Sequence, residues 1–536
     1  MSRVLGVDFG TASVRSLVVD TSDGTIVGLG EYTYTKTPSY SDATMARHHV
    51  DDYLTGLEVS IKRALADLDP STIVGLGLGS TGSTILPVLE DGTPLLHLPE
   101  FSTNPNAHIW LWKDHTPTAE GEFITEVITS LYPHYLNRIG GTYSTEWFWS
   151  KILHCVNVDP HVAESAYTWI EIADYLLFLL SGRAHIDSAV RNICAASHKA
   201  LYDNGYPSSE FLSHLDERLL PLGESLQRAP VQGIDQSSGT LGKEWAERLG
   251  LPVGITLGTA ALDGHFGAVG SHIRAKTLVK SVGTSSVDIT VAPLDQRFSA
   301  TSGLMGVVEH SILPDMIGIE AGQSGVGDIF GWYVDGFLHG NHHTLMHEAL
   351  DMKPGQSGLI ALDWNHGNRS ILQDQNLTGL LLGMDLATTP AEVYRALIEA
   401  TAFGSKIIID RIEEQGIGLD SIILAGGIPK KNPLLVQIYA DVHNRPMVIA
   451  ECEYASGLGS AIAVSVASGV HSTIGVAQKA MVPPPTVIVQ PNKEAVIVYR
   501  RLFDIYTRLH DGFGVEHHSS SLFSVMKELL VIKNEE

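Results

Sequence analysis

Two nearly identical pentapeptides, each set between apolar strand-like runs, constrain this chain more than any other feature. Gly10-Thr11-Ala12-Ser13-Val14 follows the run 3–10 and opens a second run over 14–20. Gly283-Thr284-Ser285-Ser286-Val287 stands between the runs 278–283 and 287–292 in the same way. A loop that recurs in one strand-to-strand context predicts an internally duplicated fold, in which each copy offers a glycine hairpin to a shared cleft. Around the first copy, Ser22-Asp23-Gly24 signals a hairpin turn and residues 25–34 a third strand. A helix over 50–67 follows, with Leu54, Leu57, Ile61 and Leu65 on one face, and then a buried strand over 73–79.

This β-β-β-α-β order opens a ribonuclease-H-like domain. The expected fold is therefore α/β, with two ribonuclease-H-like (actin-like ATPase) domains flanking a central cleft. The repeat places the boundary so that residues 1–269 form an N-terminal domain with insertions and 270–536 a C-terminal domain with a polar tail. Residues 95–255 form the insertion-rich region and hold Trp110, Trp112, Trp147, Trp149 and Trp169, which read as core. In the second copy Thr389 caps a helix, Pro390 takes its first position and Gly416 stops it. A strand over 421–425, the loop Gly426-Gly427 and a helix over 433–443 follow, and a peripheral helix is expected beyond Val515.

Net charge is −25 with His neutral, which argues against nucleic acid or an anionic membrane as partner. A nucleotide would have to be held by local backbone donors, helix N-termini and a divalent cation. The three cysteines form no CxxC pair, so neither a disulfide framework nor a structural zinc site is expected. The N-terminus lacks a leader pattern and no apolar run is long enough to span a bilayer, which predicts a soluble cytoplasmic protein.

Four motifs carry chemistry. In Asp8-Phe9-Gly10-Thr11-Ala12-Ser13-Val14-Arg15 a strand ends in a carboxylate suited to Mg2+, and the turn can wrap phosphate oxygens. Arg15 either neutralises transferring charge or pairs with a nearby carboxylate. Gly283-Thr284 repeats the turn. Gly426-Gly427 lets a flat group approach the backbone, with Lys431 and Asn432 placed to line an adenine or ribose pocket. Asp263, flanked by Gly264 at the expected hinge, suits a general base for phosphoryl transfer to an alcohol, with His265 as its rival. The pairs His48-His49 and His342-His343 lack partners at ligand spacing and read as exposed or structural.

Together these motifs resemble the FGGY carbohydrate kinases, over residues 4–469. Longer stretches resemble the members that act on L-ribulose: Asn104-Pro105-Asn106-Ala107-His108, Glu146-Trp147-Phe148-Trp149-Ser150-Lys151, Glu320-Ala321-Gly322-Gln323-Ser324, Gly327-Asp328-Ile329-Phe330 and residues 365–371. The resemblance implies an enzyme using ATP and Mg2+ on a ketopentose, with a homodimer as an option. It implies a sugar pocket at Gly82, Lys199, Asp263 and Glu320, and metal contacts at Asp8 and Asp263. Nucleotide contacts would come from Gly10, Thr11, Ser13, Arg15, Gly283, Thr284, Gly327, Gly426, Gly427, Lys431 and Asn432. Before the pocket, this chain reads Gly79-Ser80-Thr81-Gly82 where the resembling members carry an acid and an aromatic. D-ribulose or xylulose as acceptor therefore stays open, as does a non-catalytic actin-like nucleotide-binding protein.

Overall fold

The computed structural model describes residues 2–38, 40–298, 303–518 and 521–535. Two sheets built on one plan dominate it. In the first, the spatial order is Ile26–Thr33, Ser13–Asp20, Arg3–Phe9, Ile73–Ser80, Thr256–Gly258, Ser237–Thr240, with Ala261–Leu262 also paired to Ile73–Ser80. In the second it is Gly306–Glu309, Met316–Gln323, Ser286–Pro293, Thr277–Val282, Ser421–Ala425, Met447–Ile449, Ile488–Val489. Arg3–Phe9 pairs antiparallel with Ser13–Asp20 and parallel with Ile73–Ser80. Thr277–Val282 does the same with Ser286–Pro293 and Ser421–Ala425. The duplicated pentapeptides thus sit at equivalent corners of equivalent sheets.

The central strands are nearly all apolar because both their faces are covered. Helix Val50–Leu65 buries Leu57, Ile61 and Ala64 against the first sheet, and its N-terminus is capped by His49, which accepts from Asp51 N–H at 3.2 Å. The opposite face takes helix Ala455–Ala467 from the second half of the chain, packed also against helix Asp263–Gly270. A Cβ on Gly6 would collide with Gly457 O, one on Gly459 with Phe266 O, and one on Gly270 with Ala455 O. The approach of these three elements is backbone on backbone.

Element ends differ from expectation by a residue or two: the third strand is Ile26–Thr33 and the first helix ends at Leu65. Helix Pro390–Glu414 opens with a full capping box between Thr389 and Glu392. The tail is less polar in its packing than its composition suggests. Helix Val525–Glu535 buries Val525, Leu529 and Ile532, an i, i+4, i+7 stripe, and packs on helix Lys493–Gly514. Trp110, Trp147, Trp149 and Trp169 are core residues as expected, whereas Trp112 is half-buried and donates to Thr11 Oγ1 at 3.0 Å.

Candidate active site

The two hairpins close alike: Gly10 N–H donates to Ser13 O at 2.9 Å and Gly283 N–H to Ser285 O at 3.0 Å. The second is buttressed by the turn at Gly327. Gly327 N–H donates to Gly283 O at 2.9 Å and Asp328 N–H to Thr284 O at 3.1 Å. A Cβ at Gly327 would lie 2.5 Å from Gly283 O. Gly426 has φ +96° and a Cβ there would strike Val282 O, so this corner tolerates only glycine. Gly283, Thr284, Gly327 and Gly426 are therefore one cluster, with Gly427 beside it and exposed.

On the first hairpin, Ser13 Oγ and Arg15 Nε both donate to Glu31 Oε1 at 3.0 Å. Arg15 thus pairs with a carboxylate, one of the two roles open to it, while also lining the cleft between the sheets. Both polar atoms of the Asn432 side chain have partners within the fold. Its Oδ1 caps helix Pro433–His443 by accepting from Leu435 N–H at 3.0 Å, and its Nδ2 donates to Tyr394 Oη at 3.1 Å. Lys431 is exposed at the end of the short helix Gly427–Lys431.

Between the sheets lies a cavity of about 110 Å³, lined by Asp8, Arg15 and Gly264 on one side and Ser281, Gly426 and Glu453 on the other. Burial and the nearby Asp263 push the Asp8 carboxyl up to about 7, against the pull of Arg15. Asp8 Oδ1 is buried without a hydrogen-bond partner. Burial likewise raises the Asp263 carboxyl above the ordinary carboxylate range, although Gly264 N–H donates to Asp263 Oδ1 at 2.7 Å. A buried carboxyl whose ionisation Asp263 hinders and whose Oδ1 is orphaned fits a divalent cation.

Next to Asp263 the sugar-side expectations converge. Lys199 Nζ donates to Glu320 Oε1 at 2.9 Å, and His265 Nε2 lies 3.1 Å from Glu320 Oε2. Burial opposes ionisation of Glu320, but Lys199 and His265 outweigh it and hold the carboxyl well below its usual range. Burial pulls His265 down, yet the Cys194 thiol in contact with Nδ1 and the Glu320 carboxylate lift it to about 9. The rival base is thus turned toward Glu320 and Cys194. His198 Nδ1 stands 3.7 Å from the same carboxylate while its Nε2 meets Ser311 Oγ at 2.9 Å. Ligand atoms of His198, His265 and Glu320 lie within 4.8 Å of one another. Lys199 and His265 already neutralise Glu320, so the cluster fixes a carboxylate rather than calling for a cation. A Cβ on Gly82 would lie 2.9 Å from Leu262 Cδ2, which sets this glycine against the side chain of the residue before Asp263. Its loop is anchored by Lys151 Nζ, which donates to Ser83 O, and by Thr84 N–H, which donates to Glu171 Oε2 at 3.0 Å.

Comparison with known proteins identifies this arrangement. The N-terminal domain of the FGGY family of carbohydrate kinases matches residues 3–270, and its C-terminal domain matches 278–468. The chain belongs to the FGGY family of carbohydrate kinases. A ribulokinase from Geobacillus thermodenitrificans is 35% identical, covering 95% of this chain and 94% of its own. One from Halalkalibacterium halodurans is 35% identical over 99% and 97%. Among solved structures, ligand-bound xylulose kinase from Lactobacillus acidophilus superposes with a TM-score of 0.82 at 17% identity, covering 96% of this chain and 99% of that one. Glycerol kinase from Plasmodium falciparum with ADP gives 0.79 at 15% identity, over 95% and 98%.

This FGGY kinase is accordingly an ATP-dependent sugar kinase, with the two-domain actin-like ATPase fold. Among the described residues, no helix is long and apolar enough to cross a membrane. Several cleft residues escaped the sequence. Glu453, Tyr454 and Ser456 reach the cavity from the start of helix Ala455–Ala467. The small-residue run Ala455-Ser456-Gly457-Leu458-Gly459-Ser460 was the available signal. Glu31 and Trp112 meet the first hairpin from far along the chain, and no local pattern announces them.

Proposed function

We propose that this kinase transfers the γ-phosphoryl group of ATP to the terminal hydroxyl of L-ribulose, giving L-ribulose 5-phosphate in L-arabinose catabolism. The full-length likeness to proteins named ribulokinase, at 35% identity over 95% of the chain, carries the reading. The meeting of Lys199 and Glu320 near Asp263, with Gly82 against the neighbouring Leu262, supports it.

In this scheme Asp263 accepts the proton of the attacking hydroxyl. A carboxyl raised by burial holds a proton better at neutral pH than an exposed one, as a general base requires. Lys199 and Glu320 orient the ketose, so that little but alignment and deprotonation is left for the protein. The glycine hairpins at Gly10-Thr11 and Gly283-Thr284 face the phosphates from opposite sides. Asp8 and Asp263 would hold Mg2+, which supplies charge neutralisation at the phosphates when bound.

The unusual Gly79-Ser80-Thr81-Gly82 segment favours keeping D-ribulose or xylulose as a second reading. A coupled ADP-release assay over the ribuloses and xyluloses, with NMR of the product, separates the two. The highest kcat/KM is expected for L-ribulose, with phosphate on O5; a clear preference for a xylulose would transfer the reading. A cytoplasmic location and a homodimer belong to the same proposal and are checked by fractionation and light scattering.

A further inference from the structure

Two of the charged contacts between residues of the N-terminal family domain and residues of the C-terminal one have opposite polarity, Lys199 with Glu320 and Arg369 with Glu146. Lys199 reaches Glu320 at 2.9 Å. The second is looser: Arg369 Nη2 stands 3.8 Å from Glu146 Oε1. The contacts are neighbours. Lys199 Nζ lies 5.3 Å from the ring centroid of Trp147, the residue after Glu146. Ser370, the residue after Arg369, accepts from Gly322 N–H at 2.9 Å, two positions beyond Glu320.

Arg369 is oddly placed for a mere structural ion pair. Its side chain is 17% exposed, yet its guanidinium makes no hydrogen bond among the described residues. Glu146, 19% exposed, has His115 Nε2 at 3.0 Å from Oε1. None of its nitrogens is shut off from solvent without a partner, so its five N–H donors stay open to a ligand oxygen. An anion in the gap would be repelled by Glu146 and a cation by Arg369. A sugar hydroxyl suits both, because its oxygen accepts while its proton is donated.

We propose that Arg369 and Glu146 are a substrate-contacting pair that takes one ketose hydroxyl, other than the one phosphorylated, between opposite halves of the cleft. The hydroxyl oxygen accepts from Arg369 and its O–H donates to Glu146. At 3.8 Å the two groups are too far apart for a direct bond, yet one oxygen seated beside the line between them reaches both at hydrogen-bond distance. The inference rests on the sugar pocket at Lys199 and Glu320, and extends recognition to a second point on the sugar.

Steady-state kinetics of Arg369→Met, Arg369→Lys, Glu146→Gln and the double variant Arg369→Met/Glu146→Gln test it, with Lys199→Ala alongside. Each single change is expected to raise the sugar KM roughly ten- to a hundredfold, with the ATP KM unaltered. Arg369→Lys should stay impaired because it keeps the charge but loses the planar fork. The double variant should fall short of the product of the singles, since both side chains serve one hydroxyl. An unchanged sugar KM in Arg369→Met, with a raised one in Lys199→Ala, would overturn the pair and leave the pocket standing. Unchanged values in both would instead reject the pocket. Should Arg369→Met fail to fold by circular dichroism, monodeoxy ketoses decide. One that weakens the native enzyme but not Glu146→Gln supports the pair, and equal weakening by every deoxy sugar overturns it.

Discussion

Asp8 offers the most quantitative test of the cation-binding arrangement. With its carboxyl titrating at about 7, about 0.75 of the Asp8 side chains carry a proton at pH 6.5 and about 0.03 at pH 8.5. A cation between Asp8 and Asp263 selects the ionised form, so Mg2+-nucleotide binding should expel about 0.7 proton at pH 6.5 and almost none at pH 8.5. Titration calorimetry in buffers of different ionisation enthalpy counts these protons, and Asp8→Asn subtracts those belonging to the nucleotide. Equal release by the native enzyme and Asp8→Asn at pH 6.5 would refute the reasoning. The sign for stability is fixed by the same shift. Between the ordinary value of 3.8 and about 7, the folded chain binds more protons here than the unfolded one. The favourable contribution is complete below 3.8 and lost as pH rises through about 7. The nucleotide-free enzyme should therefore lose more Tm than Asp8→Asn between pH 6 and 8.

Asp263→Asn keeps the shape of the proposed base without its basicity, and should lower kcat by about two to four orders of magnitude while both substrates still bind; rapid-quench turnover with equilibrium binding checks this. Glu320→Gln strips Lys199 and His265 of their shared counter-charge, so denaturant unfolding should show a loss of about 3–5 kcal/mol, with a raised sugar KM. Gly426→Ala forces a side chain into a left-handed corner pressed on Val282 O, costing more than about 1 kcal/mol of stability and weakening fluorescent-nucleotide binding.

What could be read from the chain was whatever is local and periodic. The hairpin at Gly10, the apolar alternation around it and its echo at Gly283 reveal the sheet order, because each depends on neighbours within a few residues. Thr389 and Glu392 form the capping box for the same reason. Asn432 shows the opposite case. Its position after Gly-Gly suggests a ligand, but Tyr394, far away in sequence, claims its amide, and only the packing of two helices reveals this. The sugar side was legible as a set of residue types, yet its charge balance was not. Nothing near Glu320 in sequence signals that His265 and Cys194 stand behind it. Arg369 and Glu146 escaped as a pair because more than two hundred residues of fold are needed to bring them face to face.

The glycine seam between Arg3–Phe9, Asp263–Gly270 and Ala455–Ala467 bears on how this enzyme turns over. Packed side chains act as gear teeth: they let neighbouring elements settle only in discrete registers. Backbone pressed on backbone has no teeth, and works as a plain bearing. A swivel of the two halves about this seam would need no interdigitated side chains to disengage first. Ser456 Oγ, donating to Asp263 O at 2.9 Å, pins the proposed base to the axle. Asp263 would then keep its station in any closure of the cleft around it, and each methyl group added to the seam would be grit in the joint.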